Sequence, residues 1–340
     1  VADNVKITPD SFKPANNQDN TQKEEIQAPS LTFFQDAVRR LKQNKVAVVA
    51  FWVLAVMIII ALLAPVIAPH NPNTQNVNYA NLPPKIGSGN IPGFTGKGEV
   101  AGVVSDRYAA AGVSKGTYYI LGTDYLGRDL LSRIIYGTRL SIFVAFAATM
   151  FDMIIGVPYG LISAWRGKFT DIVMQRIIEI ISSVPNLIVA ILMLLIFKPG
   201  LTSIIIAIGF TGWITMARLI RAETYQLESE EYILAAQTLG ESSLKIAFKH
   251  LIPNMSSVII INTMMTIPTA IFFEAFLSYI GIGIPAPNAS LGTLLSDGQK
   301  TFRFLPYQMW YPSAVIVLLM LAFNLLADGL RDAFDPKSSR

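Results

Sequence analysis

Site chemistry starts from nucleophiles, bases and metal ligands, and this sequence offers few. It has no cysteine and two histidines, His70 and His250, far apart along 340 residues. Disulfides and thiolate metal sites are excluded, and a zinc centre on paired histidines has no spacing to rest on. There is no H-E-x-x-H stretch to seat a catalytic metal and no G-x-x-x-x-G-K-S/T loop to cradle phosphates. What stands out instead is a set of ionisable groups inside apolar windows, and one polar segment with small and aromatic residues at helical spacing.

Asp152, Glu179 and Glu274 are the ionisable groups in apolar surroundings. A charge at the centre of a bilayer costs about 2.5–3.5 kcal/mol on insertion scales, so such residues face a bundle interior or a watery path. Two readings stay open: a translocation route or subunit interface, or a hydrogen-bond partner between helices of this chain.

The polar segment runs from Arg221 to Asn254. Tyr232, Ala235, Ala236 and Leu239 recur at i, i+3, i+4 and i+7, which puts them on one helical face. Gly240 closes that helix and Ser242 caps the next. Leu244, Ala247, Phe248 and Leu251 form a second stripe, ended by Pro253. The pattern predicts a helix–Gly–helix elbow whose alanines permit close approach by another surface. It is either a docking element for a partner or a hairpin packed on its own bundle. A second cluster, Gly122, Thr123, Asp124, Gly127, Arg128 and Asp129, sits just before an apolar window. Its charges pair to latch a loop, or meet an external partner.

The elements that must position these residues are membrane spans. The chain is 52% apolar and 15% charged, against about 25% charged in a soluble domain. A spanning helix needs about 20 apolar residues. Windows of that kind lie near 46–68, 140–164, 172–197, 201–219, 257–282 and 309–326. The expected architecture is an all-α membrane protein of about six transmembrane helices. Residues 1–30 read as a disordered tail, 31–45 as an amphipathic interfacial helix and 46–69 as the first span. Residues 70–138 read as a long outer loop, 139–330 as a five-helix core carrying the 221–254 loop, and 331–340 as a tail. Pro158, with Gly156 and Gly160, is expected to break the second span, and Pro185 the third. Arg39, Arg40, Lys42 and Lys45, the Arg166–Lys168 loop, the 221–254 loop and the tail fall on one side, so both termini are expected in the cytoplasm. A net charge of +4 with no basic, aromatic-interleaved tract gives no footprint for nucleic acid.

The elbow resembles the cytoplasmic loop of binding-protein-dependent ABC import permeases, written E-A-A, three residues, Gly, nine residues, I-x-L-P. Ala235, Ala236, Gly240 and Pro253 match it. Leu234, His250 and Ile252 depart from it, in a form similar to the peptide and nickel branch. Leu121–Asp129, Glu274–Gly283 and Ala327–Pro336 resemble the C-type permease of that branch. The resemblance implies a MetI-like permease bundle with no catalytic residues. It also implies a second homologous permease, two cytoplasmic P-loop ATPases that use ATP and Mg, and an external binding protein that delivers an oligopeptide or dipeptide. Tyr232, Ala235, Ala236, Leu239, Gly240, Ser242, Phe248, His250 and Pro253 would then couple to the ATPases. Asp152, Glu179 and Glu274 would line the pathway or the permease interface. The alternatives are a nickel or other small-solute permease of the same branch, and a passive channel or secondary transporter, which needs no docking elbow.

Overall fold

A computed structural model describes residues 32–100 and 103–334. The 1–30 tail, and the last residues of the 331–340 tail, lie outside them. The helices in order are α1 Phe33–Gln43, α2 Lys45–Leu62, α3 Ala64–Ile67, α4 Arg107–Ala110, α5 Leu130–Trp165, α6 Lys168–Ser182, α7 Asn186–Phe197, α8 Leu201–Glu228, α9 Glu231–Thr238, α10 Ser243–Ile246, α11 Ile252–Asn254, α12 Ser256–Tyr279, α13 Leu291–Thr301 and α14 Tyr307–Phe334. One short hairpin, β1 Lys97–Val100 and β2 Val103–Asp106, pairs antiparallel in the long loop.

Five helices, α2, α5, α8, α12 and α14, are long and apolar enough to cross a membrane. The third expected span is not one helix: α6 and α7 meet at a bend of 80°. Ser183 to Pro185 absorb it, because Pro185 has no N–H to continue the helical ladder. Pro158 behaves otherwise. The expected break is absent, and α5 runs unbroken for 36 residues. Prolines are tolerated in packed membrane helices, where neighbours re-satisfy the freed carbonyl.

Gly156 and Gly160 serve packing instead. A Cβ on Gly156 would lie 2.7 Å from the Trp213 carbonyl oxygen, and one on Gly160 2.3 Å from that of Ala217. Without side chains there, α5 and α8 approach backbone to backbone and form the most extensive helix pair of the bundle. Lipid tails are as apolar as leucine, so association in a membrane depends on such close van der Waals contact.

The remaining spans gather around this seam. The buried edge of α2, Ala47, Ala50 and Leu54, packs on α14, where Gly329 admits Ala47. Phe33 and Phe34 of α1 meet Phe334 with ring centroids 5.5 and 6.3 Å apart, so both ends of the described chain share one end of the bundle. The elbow of α9 to α11 lies at that same end, by the alternation of the spans. The opposite end carries the 70–129 loop, folded on Leu82, Tyr108 and Tyr119 and held to α14 by Gln308, which donates to the Thr123 carbonyl at 2.9 Å.

A side chain on the seam has nowhere to go. Gly160→Val is expected to destabilise the fold by about 1–3 kcal/mol, the usual range for overpacking. Gly200→Ala, where a Cβ meets nothing within 4 Å, should be neutral. Thermal unfolding of the two variants in mild detergent compares them directly.

Candidate functional site

The elbow forms as a helix, a left-handed glycine and a second helix. Gly240 has φ +79°, a backbone that side chains rarely adopt. The Ser242 side chain accepts from the Lys245 N–H and caps α10. Residues 247–251 form a wide π turn before Pro253. Proline cannot donate to the Lys249 carbonyl and crowds it, which favours the wider turn.

The structure divides the expected apolar stripes between two faces, which corrects the single-face reading. Ile233 and Ala236 of α9, with Ile246, Ala247 and Leu251, turn inward. Ile233, Ala236, Ile246 and Leu251 pack with Val157, Met216, Ile220 and Met255. Ala236 is therefore a seat for α9 on its own bundle, while Ala235 is exposed. Tyr232, Leu234, Leu239, Leu244 and Phe248 turn outward, with Leu239 84% and Phe248 71% exposed. An eight-residue helix anchored at positions 233 and 236 must present 232, 235 and 239 to the outside. The result is an apolar patch at the elbow end, carried on a rigid seat.

Glu241 holds the second half of the elbow to the turn that follows Gly240. It receives Lys245 at 3.0 Å, Lys249 at 3.1 Å and His250 Nε2 at 3.0 Å. The Lys245 hydrogen bond, then that of Lys249, pulls its carboxyl down from 4.5 to about 2. His250 thus belongs to a staple rather than to the outer patch.

The Gly122–Asp129 cluster is a latch. Asp124, Arg128 and Asp129 are all buried. Asp124 accepts from Arg128 Nε at 2.7 Å and also from Arg133, and its other oxygen caps the backbone N–H groups of Leu126 and Arg128 at 2.9 and 3.0 Å. Asp297 of α13 completes the set, 3.7 Å from Arg128 and 3.5 Å from Arg133. Asp129 caps α5 through the Ser132 N–H. Thr123 Oγ1 accepts from the Leu82 N–H at 2.8 Å. Gly127, at φ +72°, lies so close to the Asn76 carbonyl that a Cβ would overlap it. Asp297 escaped the sequence reading because nothing local marks a partner so distant in the chain.

The three ionisable residues within the spans separate into three situations. Glu274 has no exposed surface. It accepts from Ser141 at 2.6 Å and Ser278 at 2.8 Å, and Ser141 in turn accepts the Leu291 N–H at 3.3 Å. It joins α5, α12 and the start of α13 inside this chain, in keeping with the second of its two readings, a hydrogen-bond partner between helices. Glu179 is exposed on α6 and pairs with Arg176 at 2.5 Å. Asp152 is buried, and neither carboxylate oxygen has a hydrogen-bond partner among the described residues. It lines a cavity of about 350 Å³ between α5, α7, α8 and α12. On the far loop, Gly112 to Gly116 spells G-x-S-x-G, but the stretch follows the single turn of α4 and leads into no helix, so Ser114 has neither the strained elbow nor the base of a nucleophile.

Two consequences are measurable. Asp124→Asn leaves two buried guanidinium groups short of a carboxylate and should cost about 3–5 kcal/mol, the range for breaking a buried pair. The readout is loss of folded protein in detergent extracts. Glu241 has a folded value below its unfolded one, so its contribution is complete above about 4.5 and is lost as pH falls through about 2. Protection factors for hydrogen exchange at residues 243–251, which divide out the intrinsic pH dependence of amide exchange, should hold from neutral pH down to about 4.5 and fall below it, whereas Glu241→Gln should lower them at neutral pH as well.

With this geometry in hand, comparison with known proteins places the chain. Residues 156–340 match the family described as binding-protein-dependent transport system inner membrane component, and residues 32–84 match the N-terminal TM domain of oligopeptide transport permease C. The chain is 45% identical over 324 residues to the dipeptide transport system permease protein DppC of Lactococcus lactis subsp. cremoris strain MG1363, covering 93% of this chain and 94% of that one. It is 40% identical to the oligopeptide transport system permease protein OppC of Bacillus subtilis strain 168, covering 92% and 93%. An inward-facing MetNI methionine ABC transporter structure superposes with a TM-score of 0.49 at 17% identity, over 60% of this chain and 97% of that one. The family match spans more than half of the chain and the relatives align over nearly all of it: the chain belongs to the binding-protein-dependent transport system inner membrane components.

Proposed function

We propose that this chain is a membrane-spanning permease subunit of an ATP-driven importer, and that its cargo is an oligopeptide or dipeptide handed over by an external binding protein. The relatives at 45% and 40% identity, named as dipeptide and oligopeptide permeases, support the cargo class. The observation that carries the role is the exposed apolar patch of the elbow, Tyr232, Leu234, Leu239, Leu244 and Phe248. A patch of this kind, held on a buried seat and flanked by charge, fits docking by another protein.

In this reading the elbow end faces the cytoplasm. Arg39, Arg40, Lys42, Lys45, Arg166 and Lys168 flank the spans at that end, in keeping with the positive-inside bias. Two P-loop ATPases bind and hydrolyse ATP with Mg, one docking on this elbow and one on that of a second, homologous permease. ATP-driven closure moves the elbow as a unit, because Ile233 and Ala236 fix it to Met216 and Ile220 of α8. The ATP-bound arrangement must favour one state of the bundle through differential contacts, and the seat supplies the lever for them. The latch at the opposite end holds the outer loop against α13 and α14, where the binding protein arrives.

The test follows from the division of faces. Leu239→Asp and Phe248→Asp each place a charge in the outer patch without touching the seat. Each should lower recovery of the ATPases with the tagged chain by more than about tenfold, as loss of an interface anchor does, while the second permease still co-purifies. Unchanged ATPase recovery and unchanged peptide uptake in both variants would remove the elbow from its coupling role.

A further inference from the structure

Asp152 is a buried carboxyl group in the middle of the bundle, 3% exposed, with no hydrogen-bond partner among the described residues for either oxygen. It projects from α5 against Gly212 of α8, whose missing side chain is what makes room for it. A Cβ at Gly212 would lie 2.4 and 2.5 Å from the two oxygens. The carboxylate is seated, but unpaired.

The cavity it lines has a consistent character. The remaining polar lining is Asn186, Thr211, Thr215, Asn262, Thr266 and Thr269, and no lysine, arginine or histidine takes part. Thr266 spends its hydroxyl proton on the Asn262 carbonyl at 2.8 Å, and Asn262 directs its amide toward Met216 Sδ at 3.6 Å. Both are left with oxygen lone pairs to offer. The lining therefore offers one carboxyl group together with hydroxyl and amide oxygens, with apolar walls from Ala190, Ala207, Ile208, Met265, Ala270 and Phe273. An ammonium group is the complement: one positive charge, three donors and no acceptor. The volume of about 350 Å³ falls within the range of small-ligand sites. The bend between α6 and α7 contributes as well, since Asn186, the first residue after it, lines the cavity.

We propose that this cavity is a transit subsite that takes the α-ammonium group of a peptide on Asp152. The inference rests on the peptide-import reading and adds to it the group that holds one end of the cargo within the membrane. Binding here is transient by construction. One ion pair offsets the desolvation of the carboxylate, and the hydroxyl lining gives the ammonium further hydrogen bonds as it enters and leaves.

The chain has no cysteine, so Thr215→Cys on α8, or Thr266→Cys on the facing α12, introduces a single thiol into the cavity of the complete importer in membrane vesicles. Each thiol is treated with aminoethyl and with sulfonatoethyl methanethiosulfonate, rates being scaled to those with a free thiol. With Asp152 in place the cationic reagent should be favoured by about tenfold or more, the enrichment expected of a charged cleft. A peptide with a free amino terminus should slow the labelling, and its Nα-acetyl form should not. In the Asp152→Asn background both effects should vanish and peptide uptake should fall, while the second permease still co-purifies. Use of two thiol positions keeps the result readable if one variant fails to assemble.

Three outcomes overturn the proposal. Equal rates for the two reagents mean that the group is a neutral acid. A cation preference with no protection by the free-amine peptide marks a small inorganic cation site. Loss of the second permease in Asp152→Asn assigns the carboxylate to the subunit interface. Failure of the import reading is visible separately, as absence of peptide uptake by the native importer.

Discussion

The close approach of α5 and α8 is the constraint on which the rest of the molecule depends. In a bilayer no hydrophobic force sorts helices from one another, so a bundle is held where backbones can touch. Gly156 and Gly160 on α5 let it touch the backbone of α8, and Gly209 and Gly212 on α8 make room in return for Phe151 and Asp152 of α5. The seam then acts as a foundation. Asp171 of α6 reaches it by accepting two hydrogen bonds from Arg221 of α8, both 2.6 Å, and one from Ser163 of α5, also 2.6 Å. The Glu274 network ties α12 and α13 to α5. Both networks cross-link a helix to the seam.

The two ends of the bundle use charge differently for a physical reason. At the loop end, Asp124, Arg128 and Arg133 are buried together against half-buried Asp297, where a missing member would leave an unpaired charge in a low-dielectric interior. Such a cluster fixes geometry. At the elbow end, Glu241 holds Lys245, Lys249 and His250 at a surface, where each pair is individually weak. The staple needs only to hold residues 245–250 to the turn after Gly240, because Ile233, Ala236 and Leu251 supply the packing beneath it.

Much of this was legible in the sequence, and the parts that were not share a cause. The spans were legible because a window of about 20 apolar residues has few other uses. The elbow was legible because Gly240, Ser242 and Pro253 are local punctuation. Local pattern could not say which of Ala235 and Ala236 faces the bundle, since both satisfy the same spacing; Met216 and Ile220 decide that. It could not separate Glu274 from Asp152 either. Each is a lone carboxylate in an apolar run, and only the fold gives one of them two serines and the other a cavity. The prolines show the same limit. Pro158 and Pro185 have equal claims to break a span, but Pro158 lies between two glycines packed on α8, whereas Pro185 has no such support and the chain turns there. The first turns of α5 were missed because Ser132 and Arg133 face the latch, so they look polar to a search for lipid-facing residues.

The seam also gives the elbow and the cavity a common wall. Met216 belongs to the packing under α9 and α10, lies against Gly156, and accepts the Asn262 amide at 3.6 Å. Asn262 lines the cavity, and Asp152 stands one helical turn before Gly156. Ile233 and Met216 share one packed cluster, Met216 meets Asn262, and Asn262 and Asp152 are walls of the same cavity. In an importer of the proposed kind, force applied at the elbow need not travel through the flexible connections of the chain. It arrives as a displacement of α8 against α5, and those are the two helices that shape the seat of the unpaired carboxylate. Close-packed interiors shift between discrete arrangements rather than deforming smoothly. A small movement at this seam would therefore change whether the ammonium subsite is open, which places cargo release and elbow movement under the control of one contact.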